Sequence, residues 1–192
     1  MPPKVRVTRE DIINIAVELV RSNGEDALNA RAIAAALNCS TQPIFSNFAT
    51  MDDLRDATIH SAYELYLSFL KKEQERGRYP AYKSFGMAYI CFARDEMELF
   101  KLLFMRDRTG EDISSPVDFE TSVEMIMKAN GVTAERARLM HLEVWACAHG
   151  IATMLATSFL TLESDLISDM LSDIYQGVRL RHLSEDHQND CN

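Results

Sequence analysis

From Ile12 onward, apolar residues recur every three or four positions, and the rhythm persists almost to the end of the chain. Ile12, Ala16, Leu19 and Val20 fall along one side of a helix. Thr8 and Asp11 ahead of them have the spacing of a capping box, and Asn23-Gly24 behind them supplies a stop. A first helix is therefore predicted over about 8–22. Ile33 and Leu37 face inward from a short second helix over 29–38. Ser40 is suited to cap a third over 41–47, which places Pro43 at its third position. The missing N–H costs nothing there, because first-turn amides have no intrahelical partner. Thr50 and Asp53 form a second capping box and open a long fourth helix, which runs to about residue 75 and breaks at "RGRYP" (76–80).

The same pattern predicts helices near 81–94, 96–106, 116–129, 134–158 and 163–182, with a long loop over 107–116. Ser115 followed by Pro116 is an N-cap with proline at the first helical position. The tail from Ser184 is expected to fray. Only 7 Gly and 5 Pro punctuate 192 residues, and 47% of the chain is apolar. That combination implies an all-α protein with enough apolar surface for a substantial core.

Charge divides the chain unevenly. Up to residue 50, Lys4, Arg6, Arg9, Arg21 and Arg31 balance Glu10, Asp11, Glu18, Glu25 and Asp26, so the formal net charge of −9 lies wholly beyond it. Three of those cations fall within the first nine residues. This suits a nucleic-acid-touching head on an acidic body. Cys39, Cys91, Cys147 and Cys191 are scattered, which favours a reducing cytoplasm over a disulfide framework. "MPPKVRVTRED" has no apolar signal core. Residues 144–162 carry no Asp, Glu, Lys or Arg, yet His149, Gly150 and several threonines favour a buried helix and a turn over a membrane span. His141 and His149 lie roughly 12 Å apart along a helix axis, too far to share an ion, so no metal site is expected within this helix, and no metal or other cofactor is assigned. No phosphate loop or nucleophile motif is visible, and no catalytic residue is assigned.

Two short helices joined by a tight turn, after a supporting first helix, make a helix-turn-helix. The second of the pair is too short to stand alone, so Ile44 and Phe48, at i and i+4, should anchor it. Thr41, Gln42, Ser46 and Asn47 then point elsewhere, and their side chains suit base edges or phosphates. "STQPIFSNF" (40–48) thus reads as a recognition helix. The candidate DNA-contacting set is Lys4, Arg6, Arg9 and Arg31, with Ser40, Thr41, Gln42, Pro43, Phe45, Ser46 and Asn47.

Here the chain resembles the tetracycline-repressor (TetR) family of bacterial regulators, from "TREDIINIAVELVRSNG" through "ARAIAAALNCSTQPIFSNFATMDDL". Two departures stand out. Phe45 replaces the usual tyrosine, so a hydroxyl contact to phosphate is lost. Met51 replaces a common lysine at the start of the fourth helix, whose amides remain available to a phosphate. The resemblance implies a head over 1–50 and an effector-binding, dimerising helical body over 51–192, with the fourth helix as connector. "EVWACAHGIATML" (143–155) resembles the Trp-His-Gly signature of one branch.

In the body, Ala148, Ala152 and Ala156 form a stripe that would let another helix approach. Leu166, Ile167, Met170, Leu171, Ile174, Tyr175 and Val178 form a broad apolar face. Two such helices from each of two chains would make a four-helix dimer interface. Phe85, Tyr89 and Phe92, Phe104, and His141, Trp145 and His149 are the candidate ligand residues, suited to an apolar or aromatic effector. The sequence-level reading is a ligand-responsive homodimeric repressor of a palindromic operator in double-stranded DNA, with no membrane association. The alternative is an all-α partner-binding or scaffold protein whose head has lost DNA affinity.

Overall fold

The structure, a computed structural model, describes residues 7–107 and 117–189. Among them are nine helices and no strand: α1 (Arg9–Asn23), α2 (Ala30–Ala36), α3 (Gln42–Asn47), α4 (Met51–Arg76), α5 (Ala81–Asp95), α6 (Met97–Phe104), α7 (Val117–Asn130), α8 (Ala134–Ala156) and α9 (Ser164–Asn189), with a 3-10 turn at Glu25–Ala27. The helices form two compact units. One comprises Met1–Ser68 with Glu96–Arg106, the other Phe69–Asp95 with Asp107–Asn192. The first unit thus takes in most of α4 and all of α6, and α4 itself runs from one unit into the other. Lys4, Arg6, Cys191, the 108–116 part of the expected loop and the Ser115–Pro116 start lie outside the described residues.

Both capping boxes form. Thr8 accepts from the Asp11 amide at 3.1 Å while Asp11 accepts from the Thr8 amide at 2.9 Å. Thr50 and Asp53 repeat the exchange at 2.9 and 3.0 Å. Gly24 ends α1 at φ 79°, a backbone conformation that glycine adopts without strain.

Ile12, Ala16, Ile33, Ala34, Ile44, Phe48 and Leu54 make one buried cluster from the first four helices. In the same unit α6 packs on α1, burying Leu99, Phe100, Leu102 and Leu103.

In the second unit α8 is central, packed by α5, α7 and α9. Val123, Ile126, Ala137 and Met140 form a cluster there, with Tyr82, Phe119, Tyr175 and Val178 against it. Gly86 marks a close approach of α5 to α9, since a Cβ on it would stand 3.1 Å from Leu171 Cδ1. Glu73 is 3% exposed and is held there by Arg76 at 2.8 Å and Arg78 at 2.9 Å.

Three expectations change. Ala148, Ala152 and Ala156 are all buried within this one chain, so the alanine stripe lets α8 approach its own neighbours rather than another protomer. Periodicity reports that a face is packed and does not say against what. The broad α9 face also divides: Ile167 and Leu171 are buried and Tyr175 and Val178 join the intrachain cluster, while Leu166 stays half exposed. Finally, α9 continues to Asn189, so the tail from Ser184 is helical over that stretch instead of frayed. The apolar run over 144–162 ends as a helix at Ala156, and Ile151, Ala152 and Leu155 are buried inside the protein. By length and composition α8 could cross a membrane, and that packed face supports a core helix.

Candidate nucleic-acid interface

The turn between α2 and α3 sets the site. Asn38 adopts φ 50°, a left-handed conformation that asparagine tolerates better than most residues, and the Cys39 amide reaches back to the Ala34 carbonyl at 2.9 Å. The turn uses one residue more than expected, so Thr41, not Ser40, precedes the helix. Thr41 has helical backbone angles (φ −71°, ψ −13°) and makes no side-chain cap bond. Capping through a side chain requires an extended backbone at that position. Pro43 consequently falls at the second helical position, still within the first turn, where its missing N–H costs nothing.

α3 has six residues and holds its place through its apolar side. Ile44 is 0% and Phe48 3% exposed, and both sit in the cluster shared with α1 and α2. The Arg9 guanidinium lies over the Phe48 ring, 4.7 Å from its centroid, tying the start of α1 to the end of α3.

Opposite that anchored side, Gln42, Phe45 and Ser46 are exposed, Thr41, Pro43 and Asn47 are half-buried, and Ser40 is exposed in the turn. Two of the polar candidates are already engaged. The Ser46 hydroxyl donates to the Gln42 carbonyl at 2.9 Å and the Asn47 amide to the Pro43 carbonyl at 2.8 Å. Gln42 and Thr41 carry no such bond.

Cations flank this surface unevenly. Arg9 and Arg31 are exposed. Arg21 is turned to Glu96 at 2.7 Å and to Glu18, and Arg55 to Glu25 at 2.6 Å. Met51 is half-buried against the head core. At the start of α4, Thr50 already takes the Asp53 amide, and Asp52 and Asp53 place carboxylates in the first turn. That terminus is poorly suited to a phosphate.

An open hollow of about 860 Å³ lies between α1 and α4, lined by Arg9, Asn47, Phe48, Asp53, Asp56 and His60 among others. A shallower one of about 390 Å³ lies at the end of α7. None of the candidate ligand residues lines either.

Those residues form separate groups. Phe104 belongs to the first unit, against Tyr66 and Phe100. In the second unit the Tyr89 hydroxyl is 2.8 Å from His149 Nδ1, and Trp145 stacks on His149 with centroids 5.2 Å apart. Phe85 and Phe92 are buried on α5. His141 sits apart, with the Tyr82 hydroxyl 2.9 Å from its Nδ1 and Phe119 edge-on at 4.8 Å. Burial pushes the His141 imidazole down to about 4, lowers His149 as well, and raises the Tyr82 phenol. Neutral imidazoles follow, each beside a tyrosine hydroxyl.

Three polar groupings went unnoticed in the sequence. Tyr82 and Tyr89 on α5 match His141 and His149 on α8, two helical turns apart on each side, a match that only the packing of α5 on α8 brings out. His182, 2% exposed, meets Glu143 at 3.0 Å, and Lys83 meets Ser168 and Ser172 at 2.7 and 2.8 Å. Nothing local marks either of them.

A three-helix head with an anchored, outward-facing short helix, in an otherwise helical chain, defines the fold of the TetR-like regulators. The chain matches a TetR-like transcriptional regulator from Rhodococcus sp. RHA1 with a TM-score of 0.66 over 92% of this chain and 96% of that one, at 16% identity. A second Rhodococcus sp. RHA1 structure, of a protein of unknown function, matches with a TM-score of 0.72 over 92% and 98% of the two chains, at 19% identity. In sequence the chain is 21% identical over 182 residues to an uncharacterized HTH-type transcriptional regulator of Mycobacterium tuberculosis, covering 92% of this chain and 84% of that protein. No protein-family model matches. The resemblance carried by the first fifty residues is thus matched by a likeness of fold over 92% of the chain.

Proposed function

We propose that this protein is a homodimeric DNA-binding transcriptional regulator of the cytoplasm, without catalytic activity, that represses nearby genes by holding a palindromic operator. The observation that carries the reading is α3: a six-residue helix anchored by Ile44 and Phe48 that turns Gln42, Phe45 and Ser46 outward. Thr41 and Gln42 are its base readers, with Ser40, Pro43, Ser46 and Asn47 in the surrounding surface. Lys4, Arg6, Arg9 and Arg31 supply the phosphate contacts. The test is selection of duplexes from a random pool by the full-length protein, followed by footprinting and a salt titration. A palindrome with half-sites about 34–36 Å apart, or a small multiple of that, is expected. Recovery of no preferred duplex would defeat the proposal.

Dimerisation rests on the surface that the chain leaves uncovered. Leu139 and Leu142 on α8 and Leu166 and Leu180 on α9 are between 48% and 64% exposed, at helical spacing. Met170, Ile174 and Gly177 continue the α9 stripe. A second copy would cover both stripes in a four-helix interface. Ile174→Lys places a charge in that interface and is expected to yield monomers by sedimentation at micromolar concentration, with operator binding lost.

The effector site proposed is the group around Tyr89, Trp145 and His149, backed by Phe85 and Phe92, and it suits an apolar or aromatic compound. Phe104, in the first unit, and His141, beside Tyr82, fall outside that group. Because α4 runs through both units, an effector that favours one body arrangement would alter the placement of the heads. Ligand and operator then weaken each other by one shared coupling energy, typically about 1–3 kcal/mol. The rival reading, a partner-binding module with an inactive head, draws on Met51 and on the carboxylates at the start of α4. The duplex selection separates the two.

A further inference from the structure

Within α3, Phe45 is the apolar side chain that the head core leaves unused. Ile44 and Phe48 fill the core, and the donors of Ser46 and Asn47 are taken by helix carbonyls. The Phe45 ring is 52% exposed on the outward side, three residues from Gln42 and therefore on the same side of the helix. A phenylalanine ring forms no ordinary hydrogen bond with a phosphate oxygen or a base edge. It does recognise apolar surface, and in the major groove that surface is the C5-methyl of thymine.

We propose that Phe45 is a specificity-determining residue that packs on thymine C5-methyl groups in the bound duplex. The inference rests on reading α3 as the groove-entering helix, and it assigns a base preference to a position with no hydrogen-bonding capacity. Gln42 on the same side suits a neighbouring adenine, through its N6 and N7. The preferred half-site therefore carries a thymine next to a base pair that Gln42 reads.

The test uses full-length protein and a duplex enriched from a random pool. Each thymine in turn is replaced by deoxyuridine, which removes the methyl group and leaves every hydrogen-bonding group in place. At one thymine per half-site the wild-type protein should bind about fourfold more weakly, the worth of one buried methyl, and about fifteenfold more weakly when both half-sites are changed. Phe45→Ala should bind the thymine and uracil duplexes alike at that position, and Phe45→Tyr should retain the wild-type difference. Circular dichroism and the thermal midpoint should match wild type, since the ring lies outside the core. If uracil is tolerated everywhere, or if Phe45→Ala keeps the full difference, the proposal for Phe45 is overturned while DNA binding stands. If no duplex is enriched, the DNA-binding reading falls and this inference with it.

Discussion

α3 and α8 present opposite relations between chemistry and burial. Helix α3 spends Ile44 on the core and leaves Gln42, Phe45 and Ser46 facing out. Helix α8 buries His141, Ala148, Ala152 and Ala156 and leaves Leu139, Leu142 and Trp145 facing out. A polar or aromatic surface on a helix too short to fold alone suits recognition of something outside the protein. An apolar stripe on a long, packed helix suits a second copy of the same surface. Exposure thus marks candidate chemistry in the head, whereas in the body it marks the surface proposed for a second copy, and the buried His141 is packed within the chain.

The contrast is most sharply tested by removing the anchor. Ile44→Ala should cost about 2–5 kcal/mol of head stability and abolish operator binding although it touches no DNA. Chemical denaturation with paired binding curves would show it. Operator affinity that survived intact would mean α3 does not depend on its buried side.

A pH titration tests the body next. An imidazole held at about 4 when folded, against 6.5 when unfolded, binds fewer protons in the native state. Its contribution to stability is complete above pH 6.5 and is lost as pH falls from 6.5 towards 4, by on the order of 3 kcal/mol. His149 shifts in the same direction. His141→Gln should flatten this dependence in denaturation curves at pH 7 and 4.5. An unchanged slope would indicate that His141 is solvated.

Within α3, Gln42→Ala should cost about 1–3 kcal/mol on the operator and relax preference at one base pair, read by competition with mutated duplexes. Ser46→Ala, whose hydroxyl already serves the Gln42 carbonyl, should change operator affinity by less than about 0.5 kcal/mol. The difference between these two variants separates free readers from tied ones.

What was legible in the sequence was local. The Thr8–Asp11 and Thr50–Asp53 boxes depend on residues three apart, and both form as expected. Ile44 and Phe48 were assignable as anchors from an i, i+4 spacing. The start of α3 was misplaced by one residue because it depends on the left-handed Asn38, which composition does not announce. The alanine stripe was recognised as packed but given the wrong partner. Tyr82–His141 and Tyr89–His149 join residues 59 and 60 apart in sequence, so a one-dimensional pattern carries little trace of them.

The anchoring of α3 by Ile44 and Phe48 has an evolutionary consequence. Its inward residues hold the helix, and its outward residues contribute nothing to the core. After a gene duplication, the outward positions are free to drift without a folding penalty. If α3 reads DNA as proposed, a lineage could exchange Gln42 or Phe45 and acquire a new target while inheriting the same scaffold, and descendants would diverge fastest at those outward positions.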